Sequence, residues 1–302
     1  MNVPPAPEPP PAASGTGLSI RLPDGQVLAA TLFAPQTDTA RPLTIVGPAV
    51  AVRRRYYARF AAFLAESGRP ALVFDYRGIG DSRTGSLVGA PITMRDWCTR
   101  DVPGVLDWAA ATYPGRPIHW IGHSMGGFAT GLAHNNRLVA RQLNIATLSG
   151  YWGRMAVPER YRVRVMMGIA APLVVRALGY LPGPLIGGED MPGPAFLEWA
   201  RWCMMPEFIF GDPTFTETAN VARFRAPIRF AHISDDSWGT PAAVGHMAEH
   251  FTGSIDRSTW RITPAQAGVR KIGHFGFFRP QFRDSLWREA LAWLDGESPE
   301  KA

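Results

Sequence analysis

The sequence predicts an α/β fold, and three features of its 302 residues carry that prediction. From about residue 43 onward, short apolar runs alternate with amphipathic helical stretches, the pattern of a parallel sheet buried under helices on both faces. A chain of this length removes roughly 75% of its unfolded surface from water, so it builds a large core without disulfides or metal staples. Its 46% hydrophobic and 19% charged residues are ordinary for a globular protein, which excludes a wholly disordered, fibrous or coiled-coil chain. At about 150 residues per domain the length allows two domains or one large α/β domain with insertions.

Residues 1–16 are proline-dense, with neither a basic region nor an apolar stretch, and read as a disordered leader rather than a secretory signal. GLSIRL and VLAATLFAP then read as antiparallel strands joined in a tight hairpin at Asp24-Gly25. Next come the strand LTIVG, a helix around Tyr56 to Ser67, the strand ALVFDY, a helix around Met94 to Thr112, the strand PIHWIG, a helix from Ser124 and the strand NIATLSG. The alternation breaks from Tyr151 to about Arg225, where tryptophans, methionines and Pro-Gly pairs replace the strand signal. It resumes with PIRFAHIS, a helix near Pro241 to Phe251, a strand near Ser258 to Ile262 and a last helix from about Pro280 to Leu294. Residues 17–150 and 226–296 are therefore the expected core, with 151–225 inserted into it. No internal repeat is visible, which excludes solenoids and propellers.

The net charge is +6, from 31 basic and 25 acidic residues, and lysine occurs only at Lys271 and Lys301. The densest basic cluster is Arg53-Arg54-Arg55, too thin for a phosphate-tracking stripe, so nucleic-acid binding is not expected. Cys98 and Cys203 form neither a disulfide framework nor a CxxC spacing, which fits a reducing cytoplasm. The longest apolar stretch, Val165 to Val175, contains Gly168 and Pro172 and is too short to span a bilayer.

The strongest local signal is Gly122-His123-Ser124-Met125-Gly126-Gly127, set between a strand and a helix. On so tight a turn the serine backbone is strained and its hydroxyl is pushed outward, while the flanking glycines leave room for strand and helix. A serine hydroxyl is a weak nucleophile, so this reading needs a histidine base and a carboxylate to orient it, both later in the chain. His274, in Lys271-Ile272-Gly273-His274-Phe275-Gly276-Phe277-Phe278-Arg279, supplies the base. Asp235 and Asp236, at the end of the strand PIRFAHIS, supply the acid; successive side chains diverge, so only one of them reaches the imidazole.

These residues, in the order serine, acid, histidine, resemble the α/β-hydrolase superfamily, and the resemblance covers about Gly17 to Leu294. More narrowly, Asp75-Tyr76-Arg77-Gly78-Ile79-Gly80-Asp81-Ser82, Asp190-Met191-Pro192-Gly193, Trp199-Ala200-Arg201-Trp202-Cys203 and the His274 segment resemble a bacterial group of predicted α/β hydrolases of unassigned substrate. The resemblance implies the α/β-hydrolase fold, a mostly parallel eight-stranded sheet with helices on both faces and a helical cap insertion at 151–225. It also implies a serine esterase with Ser124, Asp236 and His274 as its triad, because the acid of this superfamily usually lies nine residues after the proline that starts its strand, here Pro227. The oxyanion hole would take the Met125 amide and one from Gly47-Pro48-Ala49-Val50. There the usual His-Gly pair is missing and Pro48 has no N–H, so Ala49 is favoured, with Val50 behind it. The rival readings are an acyltransferase or thioesterase on the same triad and a non-catalytic ligand-binding protein of this fold.

The expected substrate is a small neutral ester with an apolar acyl chain, held by Trp152, Trp199 and Trp202, with Met166, Met167, Leu173 and Leu181 as further apolar surface. No cofactor is expected, and homo-oligomerisation is left open. His246-Met247-Ala248-Glu249-His250 matches the H-x-x-E-H zinc pattern but shows no third ligand in sequence, so no metal is expected. His119, His123, His134 and His232 read as structural, and Asp75 to Ser82 as the turn after the fourth strand.

Overall fold

The computed structural model describes residues 15–37 and 39–297. Most of the expected leader lies outside the described residues, and its final residue belongs to the fold, since strand β1 (Thr16–Arg21) begins there. β1 pairs antiparallel with β2 (Val27–Phe33). Their connection differs from a two-residue turn: the Leu22 amide donates to the Gln26 carbonyl at 2.8 Å, and only Gly25 in the loop takes a positive φ, 84°. Pro23 and Asp24 keep the negative φ of an ordinary turn, and the glycine closes it in the left-handed region.

β3 (Leu43–Gly47), β4 (Ala71–Phe74), β5 (Ile118–His123) and β6 (Val139–Ile145) follow, then a two-stranded ribbon of β7 (Tyr180–Leu181) and β8 (Met191–Pro192), then β9 (Ile228–Ile233) and β10 (Arg257–Ile262). The main sheet has eight strands in the order β1-β2-β4-β3-β5-β6-β9-β10. It is parallel from β4 through β10 and antiparallel at the β1/β2 and β2/β4 pairs. β6 starts earlier than the run NIATLSG suggests, because its first turn carries the exposed Ala140 and half-buried Arg141, which break the apolar pattern.

Side chains alternate across the sheet with period two, as extended backbone requires. Leu72 and Phe74 join the apolar core under the helical run 94–112, the helix Met125–Leu132 and the helix Pro241–Glu249; Ala71 and Val73 join the opposite core under the helices Ala58–Glu66 and Leu286–Leu294. The final helix is shorter than expected: Pro280–Phe282 forms a separate 3-10 turn, and Ser285 leaves helical geometry at φ −126°, ψ −99°. The turn after β4 is held by buried charge. The Arg54 amide donates to Asp75 Oδ1 at 2.6 Å and its guanidinium pairs with Oδ2. Gly80 is required there, because a Cβ would lie 2.6 Å from Asp75 Oδ2.

Between β6 and β9 the chain leaves the sheet. Its longest helical run covers Glu159–Leu178, widened to a π turn at Met166–Ala170 and ended by Gly179 in the left-handed region (φ 80°). After the ribbon, the helix Gly193–Cys203 and 3-10 turns at Phe208–Gly211 and Thr216–Arg223 lead back to β9. Among the described residues no helix is long and apolar enough to cross a membrane.

Candidate active site

β5 runs into the helix Met125–Leu132 through a single residue, Ser124, at φ 51°, ψ −115°. A non-glycine residue there is strained, and the surrounding packing holds it in place. A Cβ on Gly122 would lie 2.2 Å from Gly127 Cα, and one on Gly126 would lie 2.1 Å from the Gly47 carbonyl oxygen. Only glycine lets this helix press against the ends of β3 and β5. Gly127 is as tightly held, its absent Cβ being 2.0 Å from Thr147 Oγ1. Ser124 is half-buried and lines a cavity of about 160 Å³ together with His274.

The end of β9 answers which aspartate faces the imidazole. His274 Nδ1 lies 2.7 Å from Asp236 Oδ2, and the Trp238 amide donates to Asp236 Oδ1 at 2.9 Å. Burial pushes the Asp236 carboxyl up, but His274 and the Gly239 and Trp238 amides outweigh it and hold the group below its ordinary value. Asp235 turns the other way. It accepts the Ile272 amide at 2.9 Å and the Gly273 amide at 3.0 Å, pinning the loop that carries His274.

A buried chain of hydrogen bonds runs behind the site. The His274 carbonyl can only accept, so His123 Nε2, 2.9 Å away, carries the proton. His123 Nδ1 is then an acceptor and takes the Tyr57 O–H at 2.8 Å, and the Tyr57 oxygen accepts the Ala49 amide at 2.9 Å. Burial first, and the neighbouring His274 second, push the pKa of His123 down to about 3, so this ring stays neutral. The structural reading of His123 agrees with these contacts.

That chain corrects one expectation. The Ala49 amide is already committed to Tyr57 and is not free for an oxyanion. Among the described residues the Val50 and Met125 amides have no acceptor of their own, and both residues line the cavity. The tryptophans divide as well. Trp199 lines the cavity. Trp202 does not: it is fully buried, its ring stacks on Phe215 at 5.3 Å and its indole N–H donates to Asp212 Oδ2 at 2.8 Å. Trp152 lies outside the wall too, with the Arg164 guanidinium 4.8 Å over its ring. Met167 and Leu181 are core residues, Leu173 is exposed, and Met166 borders a neighbouring cavity.

Trp238, Phe208, Leu148 and Arg162 line the cavity without having been singled out in the sequence. For Trp238 a signal existed, since it follows the acid by two residues and its backbone bonds that carboxylate. The structure also supplies a third ligand-type side chain near the H-x-x-E-H helix: Glu207, whose Oε2 is 2.9 Å from His246 Nε2.

A strained serine after the fifth strand, a buried carboxylate on a histidine and an eight-stranded sheet of this order are the marks of the α/β-hydrolase fold, and the chain has that fold. Residues 50–178 match the family model described as serine aminopeptidase, S33. No curated protein sequence matches the chain. Among solved structures it is similar to a soluble variant of monoglyceride lipase from Saccharomyces cerevisiae in complex with a substrate analogue, at 13% identity and TM-score 0.64, over 97% of this chain and 100% of that one. It is similar to the Pyrococcus furiosus esterase Pf2001 at 15% identity and TM-score 0.58, over 93% and 92% of the two chains. Est1E from Butyrivibrio proteoclasticus, solved with ferulic acid bound, aligns at 15% identity and TM-score 0.59, over 93% and 98%.

Proposed function

We propose that the protein hydrolyses carboxylic esters through an acyl-enzyme formed on Ser124, with residues 151–225 as a cap over the site. The observation that carries the reading is the 2.7 Å contact between His274 Nδ1 and Asp236 in the same cavity wall as the strained Ser124. With Nδ1–H donated to Asp236, Nε2 keeps its lone pair. It takes the Ser124 proton as Oγ bonds to the ester carbonyl carbon. The developing oxyanion accepts from the Met125 and Val50 amides. Collapse breaks the bond to the alcohol, which leaves with the proton from His274. Water, deprotonated by the same nitrogen, then attacks the acyl-enzyme; the Oγ–acyl bond breaks, Ser124 takes the proton back from His274, and the acid is released.

The cavity wall favours a neutral ester over a peptide N-terminus. Among its lining residues there is no aspartate or glutamate to hold an α-ammonium group, whereas Phe128, Leu148, Ile186, Trp199, Phe208 and Trp238 are apolar. At about 160 Å³ its space is close to the roughly 150 Å³ of an apolar cavity that takes up benzene, so an acyl chain of about six carbons fills it. The test is covalent labelling. A fluorophosphonate is expected to label the wild type and not Ser124→Ala, and equal labelling of the two proteins would refute the nucleophile. Alcohol acceptors added to the ester assay separate hydrolysis from acyl transfer by their products.

A further inference from the structure

We propose that Glu207, His246 and His250 form a binding site for a divalent transition metal, zinc above all, that ties residues 151–225 to the helix Pro241–Glu249. His246 and His250 are four residues apart, which places them one above the other on a helical face, with ring centroids 5.1 Å apart. The third side chain comes from a distant part of the sequence. Glu207, just before the 3-10 turn Phe208–Gly211, reaches His246 Nε2 at 2.9 Å, and donor atoms of all three residues lie within 4.8 Å of one another.

Two ligands on a tetrahedral zinc stand about 3.3 Å apart, given Zn–N and Zn–O bonds near 2.0–2.1 Å. The present spacing therefore closes by small movements of the two outer side chains, Glu207, which is exposed, and His250, which is half-buried. His246 is the fixed member. It is nine-tenths buried, and among the described residues its Nδ1 is enclosed without a hydrogen-bond partner and the Glu207 carboxylate is its one polar anchor. Phe210 stacks flat on the His250 ring at 3.4 Å, which restricts that ring as well. Arg154, 3.9 Å from the other Glu207 oxygen, orients the carboxylate as outer partners of metal ligands do, and its charge weakens the site relative to a closed structural one.

Two imidazoles and one carboxylate suit zinc. They offer too few oxygens for calcium or magnesium, and no thiolate competes because Cys98 and Cys203 are both buried. Three protein ligands leave the fourth position to water at the protein surface. Metal there would draw Glu207 toward the helix, and its neighbour Phe208 forms part of the Ser124 cavity wall.

The experiment titrates zinc chloride, by calorimetry and thermal shift, into the wild type and into Glu207→Gln and His250→Gln. Both altered side chains reach solvent, so the variants keep the fold. One zinc per chain is expected in the wild type, with Tm raised by roughly 3–6 °C at hundredfold excess over Kd and restored by EDTA. Either substitution is expected to weaken binding at least about tenfold, the scale of losses from disturbed metal sites. Cobalt chloride gives an independent readout, a visible absorption spectrum present in the wild type and absent in His250→Gln. No zinc-dependent heat or Tm shift in the wild type overturns the proposal. So does equal affinity in all three proteins, which would place the ion elsewhere, for instance on His274.

Discussion

Replacing Tyr57 by phenylalanine removes one oxygen and leaves the ring in its edge contact with Phe278 at 4.8 Å. That oxygen is the middle link of the chain from the Ala49 amide to His123 and on to the His274 carbonyl. Without it, a buried amide donor at Ala49 and a buried acceptor at His123 Nδ1 lose their partners together. Each stranded group costs about 1–3 kcal/mol, so stability should fall by roughly 2–6 kcal/mol. For a chain of this size that lowers Tm by about 3–10 °C, measured by thermal denaturation. The consequence for turnover is separable. Ala49 precedes the proposed oxyanion donor Val50, and His123 holds the backbone of the proposed base, so their slackening misplaces two parts of the machinery while touching no reacting atom. A misplacement near 1 Å costs up to roughly 100-fold, so kcat on a nitrophenyl ester should fall about 10- to 100-fold with KM changed little. Wild-type Tm and kcat would refute the hydrogen-bond chain. A lowered Tm with unchanged kcat would confine its role to folding.

Asp236→Asn should lower kcat by roughly 10⁴-fold, because the amide cannot hold the imidazole in the required tautomer. Asp235→Asn, which faces the Ile272 and Gly273 amides, should cost far less; the reverse order in kcat measurements would exchange the two roles. Across a series of acyl esters kcat/KM should rise by up to about fourfold per methylene and level off near six carbons, whereas a flat profile or a maximum at acetyl would reject an apolar acyl pocket. His119 and His123 are buried, and burial holds both near a pKa of about 3, well under their value of about 6.5 in an unfolded chain. The unfolded chain therefore binds the extra protons, and the stability these rings contribute is complete above pH 6.5 and lost as pH falls toward 3. The loss is up to about 1.4 kcal/mol per pH unit for each ring, so Tm should drop steadily from pH 6.5 to 5; a flat Tm would contradict neutral burial.

What the sequence disclosed depends on how local each requirement is. The Ser124 turn was legible because its constraint falls on consecutive residues: glycine at 122 and 126 is demanded by approaches of 2.2 and 2.1 Å that no side chain survives. From the residues alone the carboxylate facing His274 was legible only to within Asp235 and Asp236, and the resemblance picked Asp236; which of the two β9 directs at the imidazole belongs to the folded loop. Ala49 was misjudged because the group that occupies its amide, the Tyr57 hydroxyl, arrives by tertiary packing and leaves no mark on Gly47-Pro48-Ala49-Val50. The tryptophans of the helix Gly193–Cys203 are alike in composition and differ in surroundings: Trp202 meets the buried Asp212, and Trp199 meets the cavity. Glu207 is 39 residues from His246, and nothing in its neighbours announces a pairing across that distance.

The segment 151–225 is fastened to the sheet in a way that bears on how substrate enters. One apolar cluster runs without interruption from Trp120, Met125 and Phe128 beside the serine into Met155, Val163, Met167, Phe196, Trp202 and Phe208 of that segment. Each of these large side chains loses about 1.5–3 kcal/mol when fully exposed, so lifting the segment as a rigid lid and exposing them costs about as much as a typical domain's whole stability. Charge adds to the attachment. Arg95, on the helical run under the sheet, reaches Asp212 at 2.5 Å and Glu198 at 2.6 Å. On the acid side the Trp238 indole donates to Glu159 at 2.6 Å, and Glu159 is held in turn by Arg162. The movable parts are then those at the rim: Ile186 and Trp199 are only partly buried, and Arg162 is exposed. Rearranging a few such side chains costs far less than uncovering a core, so under the proposed function access to Ser124 would fall to the rim, and chain-length selectivity to the fixed walls behind it.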